Sequence, residues 1–344
     1  MAPTPKTGVL LINLGTPDAA TPEAVGTYLR EFLMDPFVVD IPYPARWFLV
    51  NAIVLPKRKN DSAALYRKIW SEAGSPLLMH TLALEKASQA RLGPEYFVKA
   101  AMRYGRPALS QAIEAIKGSG VSRLVVFPLY PQYSAAASES STEAARYWLR
   151  KLGWNPPTTW IPPFYARPEY LNAVVEVSRP VLAERPYDMV LFSFHGLPER
   201  QIKRSDKSRP RKHCLASRMC CDSISLANRD CYRAHCFFTA RQLATRLGIA
   251  PEQYKVCFQS RLGRTPWIRP YTDELYRTLP AQGIKRLAVL CPSFVADCLE
   301  TLEEVQIRGN EEFRRHGGES LYLVPSLNAS EVWAGAVAKL VSEN

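Results

Sequence analysis

No stretch of this chain is long and apolar enough to cross a bilayer. The most apolar run, residues 47–55, carries Asn51 and stops at Pro56, far short of the roughly 20 residues a spanning helix needs. Lys6 precedes a second apolar run, 9–14, but that run is too short for a signal-peptide core and no small-residue cleavage site follows it. We therefore expect a cytoplasmic protein. The run at 9–14 also lacks a Gly-x-Gly-x-x-Gly sequel and continues as Asn13-Leu14-Gly15-Thr16-Pro17, which withdraws support from a dinucleotide site. What the chain does have is 344 residues, 47% of them hydrophobic, enough to fill the cores of two ordinary domains.

Acidic residues are the scarcer charge, 32 against 44 lysines and arginines, for a formal net charge of +12. Half of that excess falls in residues 199–236, where ten Lys and Arg face four Asp and Glu. The same stretch holds five of the eight cysteines, Cys214, Cys220, Cys221, Cys231 and Cys236. In a reducing compartment such clustering favours ligands over disulfides. The basic run has no interleaved aromatics, so a metal-stabilised nucleic-acid binder explains the segment but nothing else, and we expect no nucleic acid partner. Anionic lipid headgroups or an acidic substrate account for the charge as well. Cys257, Cys291 and Cys298 lie in or beside apolar runs and read as small buried hydrophobes.

Short apolar runs recur at 9–14, 96–102, 124–130, 158–164, 189–194, 254–259, 287–294 and 321–327, with helical patterns between them. Strands apolar on both faces belong in parallel sheets covered by helices. The order is βαβα twice, an α/β protein of two doubly wound, Rossmann-like domains with parallel sheets facing across a cleft. The halves echo each other: Arg103-Tyr104-Gly105-Arg106 leads to Gly120-Val121-Ser122-Arg123-Leu124, and Arg261-Leu262-Gly263-Arg264 leads to Gly283-Ile284-Lys285-Arg286-Leu287. We expect domains at 1–175 and 176–328, with a cysteine-rich insertion at about 203–236 and a last helix, 329–344, packing back on the first domain.

Ligands in such folds sit at the carboxyl ends of the strands, where His195-Gly196-Leu197-Pro198 ends the fifth run. A histidine there is suited to proton transfer or to binding a metal, although a lone histidine is as often a satisfied core residue. After the seventh run come Asp297, Glu300, Glu304 and Glu311, stepping by three, four and seven, one acidic stripe on an α-helix. A solvated face is the commoner meaning of such a stripe; one that starts at a cleft can hold a divalent cation or relay protons. Residues 28–37 and 47–50 are rich in aromatics, Leu and Met and are followed by Lys57-Arg58-Lys59. Core, the apolar lip of a pocket for a flat ligand with acidic ends, and a shallow membrane contact all fit that composition.

LINLGTP (11–17), YPQYS (130–134), SFHGLP (193–198), QSRLG (259–263), Pro266-Trp267 and FVADCLETL (294–302) together resemble the ferrochelatase family, end to end apart from the cysteine segment. The resemblance implies a chelatase-like fold and insertion of ferrous iron into protoporphyrin IX to give protoheme. It implies His195 and Glu300 as the active-site pair and iron contacts, with Asp297 and Glu304 on an acidic path. It implies Arg58, Tyr66, Arg103, Tyr133 and Trp267 lining or closing a porphyrin pocket with Leu14 under the macrocycle. Cys298 stands where some members carry histidine. Coproporphyrin or a cobalt/corrin precursor is the alternative tetrapyrrole, and peripheral membrane contact is compatible with the lip.

Some members carry a 2Fe-2S cluster, which requires thiolates. Adjacent Cys220 and Cys221 strain to bind together, so Cys214, Cys231 and Cys236 plus one of that pair are the favoured four. A structural zinc site on Cys214, Cys231, Cys236 and His213 or His235 is the alternative.

Overall fold

The computed structural model describes residues 6–217, 219–263 and 265–344. All eight apolar runs are strands: β1 Thr7–Thr16, β2 Tyr96–Gly105, β3 Arg123–Pro128, β4 Thr158–Trp160, β5 Met189–His195, β6 Tyr254–Gln259, β7 Arg286–Leu290 and β8 Ser320–Leu323. They form two four-stranded sheets ordered β2-β1-β3-β4 and β6-β5-β7-β8, with every pairing parallel. The two orders are the same walk, so the sequence echo between the halves is an echo of topology.

The chain clusters into two compact units. One runs to Tyr130 and takes in Ala135–Pro163 and Asn328–Asn344; the other is Pro131–Ser134 with Phe164–Leu327. In the first, β1 alternates as strand geometry demands. Leu10 and Ile12 join a core with Leu109, Ile113, Ile116 and Leu149 of the helices Leu109–Gly118 and Ser140–Lys151. On the opposite parity Asn13 donates its amide to Thr81 at 3.0 Å, in the helix Pro76–Leu92. Covering both faces explains why Val9 to Ile12 are all 0% exposed, each such aliphatic contributing about 1.5–3 kcal/mol. The terminal helix Glu331–Ser342 is capped by Ser330, whose hydroxyl accepts from Trp333 N, and it packs on Pro76–Leu92 with an Arg91–Glu331 ion pair.

In the second unit one face of β5 reads Met189, Leu191, Ser193, His195. The first two enter a core with Leu279, Val305 and Phe313. Polarity therefore rises along that face toward the carboxyl end. Ser193 is fully buried, and its hydroxyl is satisfied by Gln259 at 2.7 Å and Thr272 at 3.0 Å; unpaired, it would cost a few kcal/mol. His195, two residues on, opens the site.

Candidate active site

His195 ends β5, and its Nδ1 lies 2.6 Å from the carbonyl of Gly196. A carbonyl only accepts, so Nδ1 carries a proton, and in the neutral ring Nε2 is the nitrogen with the lone pair. The backbone N–H of His195 donates to Ser293 Oγ at 3.3 Å. Gly196 must be glycine: its N–H bonds Gln259 O at 2.8 Å, and a Cβ would stand 2.8 Å from that oxygen and 3.2 Å from Trp267 Cε3. Trp267 is fixed in turn by donating its indole N–H to Leu262 O at 2.9 Å.

The acidic residues meet this strand end differently from the α-helical stripe. Glu300–Gly309 is wound as a π-helix, whose i→i+5 bonds widen the turn. The three, four, seven spacing therefore does not keep all four carboxylates on one face. Glu311 lies exposed in the following helix Asn310–Arg315, whereas Glu303, outside the stripe, is buried and paired with Arg308 at 3.3 Å.

Glu304 is clasped by the end of β6. Ser260 donates its N–H to one carboxylate oxygen at 2.8 Å and its hydroxyl to the other at 2.5 Å. Gln259 donates to the Glu300 carbonyl at 2.8 Å and reaches Glu304 at 3.4 Å. Burial holds the Glu304 carboxyl above the usual range against the pull of the Ser260 bond, and the charges of Arg308, Glu300 and His195 all reach it. Asp297 is buried, accepting from Thr301 Oγ1 at 3.0 Å and Ser326 N at 3.3 Å. The buried Cys298 thiol hydrogen-bonds Glu300, and desolvation pushes its pKa up. The imidazole of His195 thus lies at the same end of the second sheet as Glu304, whose carboxyl is biased toward holding a proton. Gln259 and Ser260 were visible in sequence only as part of a motif; their reach to Glu304 spans 44 residues of chain.

The sequence model of the family described as Ferrochelatase matches residues 6–344. The chain belongs to the ferrochelatase family. It is 44% identical over 339 residues to the ferrochelatase of Coxiella burnetii (strain CbuG_Q212), covering 98% of this chain and 94% of that one. Over 338 residues it is 44% identical to the ferrochelatase of Legionella pneumophila (strain Lens), covering 98% of each. The ferrochelatase of Azotobacter vinelandii (strain DJ / ATCC BAA-1303) is 44% identical over 335 residues, 96% of this chain and 97% of that one. In fold the chain is similar to SirB from Bacillus subtilis with Fe3+, at TM-score 0.51 and 14% identity, covering 98% of this chain and 95% of that chain.

Of the residues expected to line a porphyrin pocket, Leu14, Arg58, Tyr66 and Arg103 belong to the first unit and Tyr133 and Trp267 to the second. Leu14, at the carboxyl end of β1, is the one residue of that strand not fully buried. Arg58 is exposed on the helix Leu55–Ile69, and Tyr66 is buried on it against the edge of Trp70. Arg103 is held by Asp35, and the Tyr133 backbone N–H donates to His235. On the preceding helix, Tyr43–Phe48, the side chains of Tyr43, Trp47 and Phe48 are exposed by 61%, 48% and 59%. Among the described residues no helix is long and apolar enough to cross a membrane.

The five clustered cysteines are all buried. Cys220 and Cys221 Sγ lie 3.7 Å apart, and Cys231 hydrogen-bonds both Cys214 and Cys221. Its bond to Cys214 pushes the Cys231 thiol up to about 12. Burial raises Cys236, with Cys231 and Cys221 adding to it. Mutually raised, desolvated thiols are a donor set whose deprotonation a cation would offset. Among the described residues no group of three or more His, Cys, Asp or Glu is arranged to hold a metal ion. His235 does not fit the zinc set considered above: Nδ1 accepts from Tyr133 N at 3.2 Å, and Nε2–H donates to Arg229 O at 2.7 Å. Desolvation lowers its pKa to about 4, which keeps the ring neutral.

Proposed function

We infer that this protein inserts ferrous iron into protoporphyrin IX, releasing two protons. The family match across residues 6–344 carries this reading. Free-base porphyrin binds two pyrrole N–H protons that must leave as the metal enters, and the reaction transfers no electrons. A base is therefore required together with a path for protons. The Nε2 lone pair of His195, set by the Nδ1 bond to Gly196, supports His195 as the acceptor. The carboxylates of Glu300 and Glu304 support a role in receiving iron or passing protons on, with Asp297 next on that path. The decisive assay is anaerobic: ferrous iron with protoporphyrin or coproporphyrin, following loss of free-base fluorescence and appearance of metallated product. Protoporphyrin should be turned over faster, and metallation of coproporphyrin alone would refute the substrate assignment.

We propose that four thiolates of the cysteine segment hold a 2Fe-2S cluster, with Cys221 rather than Cys220 completing the set of Cys214, Cys231 and Cys236. The contacts of Cys221 with Cys231 support that choice. Such a cluster supplies a buried cross-link or a sensor; iron insertion needs no electron from it. Protein purified anaerobically is expected to absorb in the visible, to lose that absorption in Cys214→Ser, Cys221→Ser and Cys231→Ser, and to keep it in Cys220→Ser. A colourless wild-type protein with stoichiometric zinc would end this proposal.

The exposed Tyr43, Trp47 and Phe48, followed by exposed Lys57 and Arg58, support peripheral contact with an anionic membrane. Sedimentation with anionic vesicles should fall at least tenfold in Trp47→Ser/Phe48→Ser. Equal sedimentation of wild type and variant, or equal binding to neutral vesicles, counts against the contact.

A further inference from the structure

The helix Tyr232–Leu247 begins inside the cysteine segment, with Cys231 as its N-cap residue and Cys236 on it. His235 sits one turn in and is 2% exposed. Its ring does three things. It stacks on Tyr165, centroids 3.7 Å apart and planes 13° from parallel. It donates through Nε2 to the carbonyl of Arg229, inside the cysteine segment and two residues before Cys231. It accepts through Nδ1 from the backbone N–H of Tyr133. One turn further along the same helix, Thr239 Oγ1 accepts from the amide of Gln132 at 3.2 Å.

These bonds account for a feature of the topology. The loop Pro131–Ser134 follows β3 of the first sheet, yet it clusters with the second unit. A segment pulled out of its own unit must be held by specific bonds, because a backbone N–H buried without an acceptor costs about 1–3 kcal/mol. A carbonyl can only accept, so Arg229 O fixes the proton on Nε2 and leaves Nδ1 as the acceptor that Tyr133 N–H needs. The Arg229 carbonyl therefore selects the tautomer that binds the loop.

We propose that His235 is a positioning residue for Tyr133, and that through the Arg229 carbonyl it makes the placement of this loop depend on the fold of the cysteine segment. The inference rests on the function proposed above and on Tyr133 being a porphyrin contact, as the family resemblance implies. Its signature is a change in porphyrin affinity with the chemical step preserved. Metal delivery and proton removal are assigned above to His195, Glu300 and Glu304, whereas the His235 ring is spent on Tyr133, Arg229 and Tyr165.

The test uses the full-length holoprotein and four chains: wild type, His235→Phe, His235→Asn and Thr239→Val. Phenylalanine keeps the ring and its stacking and deletes both polar bonds. Asparagine can restore a donor and an acceptor. His235→Phe should raise the KM for protoporphyrin about tenfold, the effect of one lost hydrogen bond of about 1.4 kcal/mol. Its kcat and the KM for ferrous iron should stay within threefold of wild type, and asparagine should recover at least half of the loss on a logarithmic scale. Thr239→Val should act in the same direction, more weakly, and serves if His235→Phe does not fold. A porphyrin KM unchanged in both His235→Phe and Thr239→Val, or in Thr239→Val when His235→Phe does not fold, overturns the assignment. So does a parallel fall in kcat, iron affinity and thermal midpoint with no rescue by asparagine, which is the mark of a merely structural residue. Wild-type protein that neither binds nor metallates protoporphyrin overturns the functional reading itself, and this inference with it.

Discussion

His195→Ala is expected to lower kcat for iron insertion by about two to four orders of magnitude, the range a positioned general base contributes, while protoporphyrin binding stays measurable. The side chain's hydrogen bond is local, from Nδ1–H to the carbonyl of the next residue. Its removal therefore costs on the order of 1 kcal/mol at most, and β5 retains its partners β6 and β7. Binding and chemistry can thus be read separately, by quenching of porphyrin fluorescence and by stopped-flow metallation. Because the missing group is an imidazole whose Nδ1 is committed to the Gly196 carbonyl, added imidazole should restore part of the rate in the alanine variant and none in wild type. Turnover within threefold of wild type would sink the assignment of His195 as the base. So would a rate loss fully explained by weaker porphyrin binding.

The strands were legible because most of them are short apolar runs buried on both faces, as helix-covered parallel strands are; β4, Thr158–Trp160, is half-buried throughout and carries the weakest version of that pattern. The end of β5 was legible for the same reason: Ser193 and His195 are the first polar residues after Met189, Leu191 and their buried neighbours. The acidic stripe was read on an α-helical wheel, and the π-winding of Glu300–Gly309 was invisible there because nothing in its composition marks an i→i+5 ladder. Hence the stripe took in Glu311 and left out Glu303. Gln259 and Ser260 escaped for a different reason. Their importance lies in a bond from the end of β6 to Glu304 on the helix Glu300–Gly309, and no local pattern encodes which distant elements become neighbours. His235 looked like a ligand because it stands beside cysteines; its ring turned out to be spent on two backbone groups, which proximity in sequence cannot announce.

Asp35 was passed over in sequence as one residue of an aromatic-rich stretch, and its replacement by alanine is expected to carry the largest stability cost outside the cores. One of its oxygens accepts from Arg103 Nη2 at 2.5 Å, Ser140 Oγ at 2.6 Å and Tyr104 OH at 2.8 Å. The other accepts from Phe37 N at 2.8 Å. Arg103 also donates Nε to Ser140 at 2.8 Å and lies 4.4 Å above the Tyr104 ring. The Asp35 side chain is 2% exposed and that of Arg103 20%, so removing the carboxylate leaves a mostly buried guanidinium and a buried phenol without their acceptor. Breaking one partner of such a pair costs about 3–5 kcal/mol, which lowers the thermal midpoint by roughly 10 °C in a unit of this size. Asp35→Asn keeps an acceptor oxygen and should lose about half as much. In Asp35→Ala/Arg103→Ala the total loss should be smaller than the sum of the two single losses, because neither variant then strands a charge. A midpoint for Asp35→Ala within 2 °C of wild type would show that water, not Asp35, holds Arg103. The same bonds tie stability to function. We propose that Arg103 meets the porphyrin, as the family resemblance implies; a guanidinium fixed by Asp35 at one end and by Ser140 along its edge has few rotamers left to lose when the ligand arrives. Porphyrin affinity should therefore fall in Asp35→Ala even at temperatures where the variant is fully folded, and an affinity equal to wild type there would confine Asp35 to a role in folding.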